Sequence, residues 1–480
     1  MKKRLIFKLI SAGFNCLLAL ILGIIVPRVI GPEAYGNYSY VTSTYAFFFQ
    51  FLLFSSNTAY IYFLSSEKHK IENINSFYFS YLFLISIVII TISLFTLNLD
   101  VGLLYVWNNI SDLKILILGL CFGILLNFQQ RLIEYSDSTL QTIISEKIRI
   151  VSRIVIASSV MLFVFYEKLN VYSYFTLAIL SLVIFILGIL KFTDFRFKKI
   201  NRKEFILIAK EFYIYVKPLV IFALVASVYS YLGKYVLQAT SGSKEQGYYN
   251  FAFQITMIPV GFIYSIMTIF LSEMTKKIKN NDVGGVKRIF NFSVTKLFTL
   301  HAIISFFLLI NATELVLLLV GEAYVFAVPA IQVLSIFSLF NTLGMFSSNI
   351  YFSSNRNKLY SIINTSTMFV GILSYIIFFY FYKLNSYTLS IVVLSFYTIR
   401  VIIQLIYNLN YLKIKKMTFF GELSIVSFII ILIIYCVNIL SLPIHFNFIV
   451  SMIIFLMANY ISKDYLGLKD FKKITLNKLP

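Results

Sequence analysis

Apolar runs of about twenty residues follow one another from end to end of this 480-residue chain. A helix of that length spans the hydrocarbon core of a bilayer. Backbone groups in hydrocarbon find no water to bond, so only helices and closed barrels can cross. A barrel would show alternating segments of about ten residues. These runs are continuous, so the sequence predicts an all-α polytopic membrane protein. With 59% apolar and 13% charged residues, no interval between runs is long enough to bury a soluble core.

About fourteen transmembrane helices are expected, near 5–26, 38–64, 77–98, 113–130, 148–166, 171–191, 215–238, 248–272, 292–312, 325–350, 360–382, 387–410, 420–440 and 444–462. A formal net charge of +21 raises the question of nucleic acid. The placement of the charge argues against it. Lys and Arg gather in alternate loops, near 65–76, 131–147, 192–214, 273–291, 353–359 and 411–419. That is the positive-inside pattern of cytoplasmic loops. The opposite connections are poor in base, and both termini come out cytoplasmic. The opening Met1-Lys2-Lys3-Arg4 resembles a signal sequence, but the apolar stretch continues to Val26 without a small-residue cleavage site. It reads as a retained first helix. Cys16, Cys121 and Cys436 each fall inside an apolar run. They read as small core residues, with no disulfide frame and no metal site expected.

A short phrase occurs twice. Gly31–Tyr38 reads GPEAYGNY and Gly242–Tyr249 reads GSKEQGYY. Both give Gly, four residues, Gly, one residue, Tyr, between long apolar runs. The glycines suit a tight outer turn, and the tyrosines suit the membrane interface. Gly31, Glu33, Gly36, Gly242 and Gly247 are therefore expected to form an outer turn motif, with substrate contact as the other reading. The basic stretch Lys191–Lys217 divides the first six spans from the next six. Six spans return the chain to its starting side, so the repeat is parallel, with a pseudo-two-fold along the membrane normal. The expected organisation is a six-helix bundle over 1–200, a second over 201–417, and two additional helices with a basic cytoplasmic tail over 418–480.

No acidic residue falls near the middle of an expected span, whereas Arg28, Lys114, Lys234, His301 and Arg400 lie within spans or near their outer ends. An ionisable group at membrane depth is costly and faces a cavity or a partner. Cations without facing carboxylates suit an anion such as a diphosphate. Arg28, Lys234, Arg400 and His301 are the candidates for a cationic substrate cavity. The competing readings are snorkelling to an interface for the bases and hydrogen-bonded packing for His301. Amides such as Asn15, Gln50, Asn57, Asn127, Gln254, Asn341 and Asn364 could bond sugar hydroxyls or join helices. The chain lacks GxxxxGK[ST], HExxH, CxxC and GxSxG. No catalytic residue and no cofactor is expected. The energy source would be a gradient, with H+ or Na+ as the coupling ion left open, or the substrate's own downhill flow.

These features resemble the polysaccharide and O-antigen flippases of the multidrug/oligosaccharidyl-lipid/polysaccharide exporter (MOP) superfamily. Pro27-Arg28-Val29-Ile30-Gly31-Pro32-Glu33-Ala34-Tyr35-Gly36 is similar to the family's opening: an Arg, then Leu-Gly-Pro-Glu, then an aromatic and Gly. Lys234-Tyr235-Val236-Leu237, followed by Glu245-Gln246-Gly247-Tyr248-Tyr249-Asn250-Phe251-Ala252, resembles the start of its seventh and eighth helices. Gly321-Glu322-Ala323-Tyr324 and Ser354-Asn355-Arg356-Asn357-Lys358 are also typical. One departure stands at Gly233-Lys234, where many relatives carry an Asp before the base.

The resemblance implies a flippase that is not an enzyme. It would carry an undecaprenyl-diphosphate-linked oligosaccharide, an O-antigen or capsule repeat unit, across the bacterial inner membrane by alternating access. Its partners would be the lipid-linked oligosaccharide, membrane lipids and other polysaccharide assembly proteins, with no nucleic acid. Three alternatives remain: a lipid II flippase, a multidrug exporter of the same fold, and a membrane-embedded polysaccharide polymerase. The multidrug reading calls for buried carboxylates, and the polymerase reading for a long outer loop.

Overall fold

The computed structural model describes residues 2–65, 70–97, 102, 105–108, 110–198, 200–439, 447–450 and 452–453. Among them every regular element is helical. The α-helices are α1 (Lys2–Leu53), α2 (Ser56–Ser65), α3 (Ile71–Leu97), α4 (Leu113–Ser138), α5 (Thr142–Phe165), α6 (Val171–Phe192), α7 (Arg202–Val216), α8 (Val220–Lys279), α9 (Val283–Phe292), α10 (Thr299–Ile310), α11 (Ala312–Leu319), α12 (Val328–Ser353), α13 (Asn357–Phe381), α14 (Ser386–Tyr411) and α15 (Lys416–Ile439).

Ten helical stretches among the described residues are long and apolar enough to cross a membrane, or eleven if a bent pair counts as one. Fourteen were expected, and the difference has physical causes. Ile10–Leu53 and Arg202–Tyr264, at 44 and 63 residues, far exceed the length of one crossing. Each runs through a single non-helical glycine, Gly31 or Gly242. The expected ninth span, 292–312, meets α10, and α11, bent by 79° from it, falls beyond that span. The expected fourteenth span and the basic tail lie almost wholly outside the described residues.

The chain forms two compact units. Unit 1 comprises Lys3–Asn250 and Ile372–Asn385. Unit 2 comprises Phe251–Gly371 and the chain from Ser386 onward. The basic stretch Lys191–Lys217 lies inside unit 1.

Unit 1 holds two apolar cores. One gathers Tyr60, Phe63, Tyr78, Phe185 and Phe212. The other gathers Tyr40, Tyr45, Phe49, Leu82 and Trp107. Gly119 and Gly123 of α4 leave room there for Val41 and Tyr45 of α1. Trp107, the only tryptophan of the chain, is fully buried. Its indole donates to Thr96 Oγ1 at 3.2 Å, and its ring lies 5.3 Å from that of Tyr45. Unit 2 packs Met274, Phe290, Ala302, Leu343, Val401 and Ile430 into one core. Large apolar side chains such as Phe95, Phe165, Phe381 and Leu84 face outward, which suits lipid contact. The cysteines are free; Cys121 and Cys436 are exposed and Cys16 is half-buried, so they depart from the expectation of small core residues.

Six of the residues with positive φ form three pairs that recur in the same order along the chain. Gly31 and Gly242 both have φ 80°, Asn108 and Gly321 have 46° and 85°, and Leu140 and Asn355 have 66° and 56°. Each pair sits at the corresponding break between helices.

Candidate anion-binding groups of the two units

Gly31 and Gly242 need their dihedral, not space. Their φ of 80° strains any residue with a side chain, yet a Cβ on either would meet nothing within 4 Å. Gly36 and Gly247, five positions on, are helical and need space. A Cβ on Gly36 would overlap the Ser243 carbonyl, and a Cβ on Gly247 would overlap the Pro32 carbonyl. Each copy therefore seats its second glycine on the residue that follows the other copy's first glycine, a self-complementary arrangement. Ser243 Oγ donates to Asn37 Oδ1 at 2.5 Å and accepts from Gln238 Nε2 at 2.8 Å. The expected outer turn motif thus splits into two helix breaks and two contact points, with Glu33 exposed. All of this lies within unit 1.

Lys234 sits on α8 a little more than two turns before Gly242. Its Nζ donates to Ser43 Oγ of α1 at 2.9 Å. Among the described residues no carboxylate pairs with it. An ammonium has three donors, and one is used here. Nearby on the same two helices, Tyr231 joins its hydroxyl to Tyr40 and Thr44, each at 3.1 Å. Asn108 donates to Tyr40 Oη at 2.6 Å. Phe47 stacks on Tyr231 at 4.5 Å with rings 11° from parallel. Between α1 and α8, unit 1 thus offers a cation beside hydroxyls and ring faces. Phosphates and sugars need those groups.

Arg28, also in unit 1, is exposed and precedes the Gly31 break. Arg400 and His301 belong to unit 2. The Arg400 guanidinium lies 3.9 Å from the Tyr397 ring centre, and Tyr397 Oη donates to Asn341 Oδ1 at 2.8 Å. Arg400 has no carboxylate partner among the described residues, and its Nε is buried without a hydrogen bond. His301 is 1% exposed, with Nδ1 2.6 Å from Thr342 Oγ1 and Nε2 3.2 Å from Ser338 Oγ. Both ring nitrogens are taken by hydroxyls of α12. The structure thus brings Lys234 to Ser43 and His301 to Thr342. Arg28 is not joined to Lys234, nor His301 to Arg400, by any bond among the described residues.

Sequence reasoning missed a charged group in unit 1. The expected loop 131–147 is mostly helix, the end of α4 and the start of α5. Glu146 is 1% exposed, accepts from Ser11 Oγ at 2.5 Å and pairs with Arg149. Arg131 pairs with Glu134 at 2.7 Å, and Lys8 with Asp137 at 2.8 Å. Among the described residues Lys234 and Arg400 have no carboxylate partner, whereas Lys8, Arg131 and Arg149 do. The spacing of Glu146, Arg149 and Arg153 on one helical face was the available signal.

Asp282 links α8 to α9. It accepts from the Gly285 amide at 2.7 Å and pairs with Lys277 at 3.1 Å. The Gly285 hydrogen bond first, and Lys277 next, hold its carboxyl below the usual carboxylate range.

Residues 1–271 match the family described as polysaccharide biosynthesis protein. That is more than half of the 480 residues. The chain belongs to the polysaccharide biosynthesis protein family. No functionally curated protein matches this family member in sequence. Solved structures do match it. A lipid II flippase, MurJ, in an inward closed conformation superposes with a TM-score of 0.70 at 15% identity, covering 95% of this chain and 99% of that one. An inward-facing multidrug resistance MATE transporter of the MOP superfamily gives 0.62 at 15% identity, covering 85% and 98%. A MOP superfamily transporter from Pyrococcus furiosus gives 0.53 at 16% identity, covering 85% and 94%. At such identities the shared property is the fold, and the polysaccharide biosynthesis protein has the fold of the MOP transporters.

Proposed function

We propose that this protein is a flippase for an oligosaccharide carried on a polyprenyl diphosphate, an O-antigen or capsule repeat unit on undecaprenyl diphosphate. The observation that carries the reading is Lys234, an ammonium at membrane depth held by a serine hydroxyl with no carboxylate partner among the described residues. An ionisable group within a span is costly unless it faces a partner or a water-filled cavity. An anionic cargo offsets that cost each time it binds. Arg400, stacked on Tyr397, is the corresponding charge in unit 2. Family membership and the MurJ-like fold support a lipid-linked cargo.

The mechanism is alternating access between the halves 1–200 and 201–417, in a bacterial inner membrane with both termini cytoplasmic. Substrate recognition falls to Arg28, Lys234 and Arg400. His301 packs the second half. The partners are the lipid-linked oligosaccharide, membrane lipids and other polysaccharide assembly proteins. The reading needs no cofactor, and transport under imposed H+ or Na+ gradients identifies any coupling ion.

The test uses the full chain in sealed vesicles holding a fluorescent lipid-linked oligosaccharide. Wild-type protein should expose the sugar to an added glycosidase, and Lys234→Gln should not. Extrusion of a lipophilic cation without sugar exposure would sink this reading in favour of a multidrug exporter.

A further inference from the structure

The turn that joins α12 to α13 in unit 2 has a counterpart joining α4 to α5 in unit 1. In unit 1 the Thr139 amide donates to the Tyr135 carbonyl at 2.9 Å and the Gln141 amide to the Ser136 carbonyl at 2.8 Å. In unit 2 the Ser354 amide donates to Ile350 at 3.0 Å and the Arg356 amide to Tyr351 at 2.9 Å. Leu140 and Asn355 supply the positive φ that such a helix ending needs. In each unit the next side chain then reaches across to the end of a later helix. Gln141 bonds Asp194 twice, each time at 3.1 Å. Arg356 Nη2 bonds Asn408 Oδ1 at 2.8 Å.

Each clip has one charged partner, the Asp194 carboxylate in unit 1 and the Arg356 guanidinium in unit 2. The cation of unit 2 pairs with no carboxylate among the described residues. It is also held in one orientation. Nε donates to Ser354 Oγ at 2.9 Å, and the guanidinium carbon lies 4.0 Å from the Tyr411 ring centre and 5.0 Å from that of Tyr351. The third nitrogen, Nη1, bonds no described residue. Lys413, Lys415 and Lys416 follow Tyr411 directly, are exposed, and form no ion pair among the described residues. From Ala323 to Gly421 the sequence contains no Asp or Glu at all. A fixed guanidinium edge that pairs with no described carboxylate, close in sequence to three exposed lysines, fits a phosphoryl group.

We infer that Arg356, backed by Tyr411 and flanked by Lys413, Lys415 and Lys416, is the site where the diphosphate headgroup of the cargo docks before it crosses the membrane. The inference rests on the flippase reading and on the cytoplasmic placement of the loops near 353–359 and 411–419. Its role is recognition, distinct from the charges at membrane depth. The headgroup of an anionic phospholipid shares part of this chemistry, so the test must separate the two.

The experiment uses the purified full chain in nanodiscs of neutral lipid. Inorganic diphosphate is titrated against wild type, Arg356→Gln and Arg356→Lys, with thermal midpoints recorded for each. Arg356→Gln keeps an amide that can reach Asn408 and, measured well below its own midpoint, should bind diphosphate about tenfold more weakly. Arg356→Lys should retain most of the affinity. In vesicles, Arg356→Gln should raise the KM for lipid-linked oligosaccharide and leave the maximal rate unchanged. Equal diphosphate affinity in wild type and Arg356→Gln overturns the inference. So does phosphatidylglycerol that, in a parallel set of nanodiscs containing it, binds at Arg356 and is not displaced by diphosphate, which would make the site a phospholipid anchor. If Arg356→Gln folds poorly, Lys413→Gln with Lys415→Gln carries the same test, and unchanged affinity there also overturns it. Wild-type vesicles that move no oligosaccharide while diphosphate binding still needs Arg356 would end the flippase reading and spare the site. Normal transport with an unchanged KM in Arg356→Gln would do the reverse.

Discussion

Gly36 lies so close to the carbonyl of Ser243 that no β-carbon fits between them. The contact joins one copy of the repeated phrase to the other, and Gly247 on Pro32 completes it. Overpacking a tight contact costs about 1–3 kcal/mol.

Gly36→Ala and Gly247→Ala should each lower the thermal midpoint of the detergent-solubilised protein. Gly31→Ala should cost only about 1 kcal/mol, because its surroundings are open and only its dihedral is strained. Thermal unfolding followed by size-exclusion chromatography checks the order. Equal midpoints for Gly36→Ala and wild type would mean that the two copies part without cost.

Lys234→Gln should reduce oligosaccharide translocation at least tenfold at unchanged protein level, since one ionic hydrogen bond to cargo is lost (about 1.5–3 kcal/mol). Ser43→Ala should have a smaller effect, of a few-fold, because it orients the ammonium without removing it. Vesicle translocation rates for the two variants decide. A larger loss in Ser43→Ala would show that the hydroxyl is the recognition group.

His301 should matter to folding and not to transport. Both of its nitrogens meet buried hydroxyls, so His301→Ala leaves Thr342 and Ser338 without their partner and should cost about 1–3 kcal/mol. Transport per folded molecule should stay within twofold of wild type. A folded variant that loses transport would point to a proton relay through this histidine.

Asp282 supplies a pH dependence with a definite sign. Its folded carboxyl titrates below the usual range, so its contribution is fully present above the unfolded pKa of about 3.9. It is lost as pH falls through the lower folded value. Asp282→Asn should lower the midpoint at pH 7, and the gap to wild type should begin to narrow below about pH 4. High salt should remove the share due to Lys277 and keep the share due to the Gly285 amide. A gap that does not narrow as the pH falls would exclude a charge-based effect.

Much of the fold was legible because membrane crossing leaves little choice. Apolar length and alternating base located most helices, and the twin glycines marked two breaks. The helix ends were less legible. Arg131, Glu134 and Glu146 lie in helices, although their charge suggested a loop, and Arg149 falls in the span expected at 148–166. They pair with one another, and a pair is invisible to a reading that counts charges one at a time. Asn311, Thr313 and Glu314 mark the bend between α10 and α11, and they ended the expected span without revealing that a short apolar helix follows. His301 and Lys234 looked alike as lone bases in apolar runs. What separates them is the neighbouring helix, α12 with two hydroxyls for one and α1 with one serine for the other. The clip at Arg356 could not be seen before its unit 1 counterpart was set beside it.

Trp107 has a practical consequence. Because the chain has one tryptophan, fully buried in unit 1 beside Tyr45, its fluorescence reports on that unit alone. No label is needed. Emission should be blue-shifted in the resting protein, and any cargo-induced opening of the seam around Thr96 and Tyr45 should move it to the red. The molecule thus carries its own optical gauge for one of its two units, with the other optically silent at the same excitation.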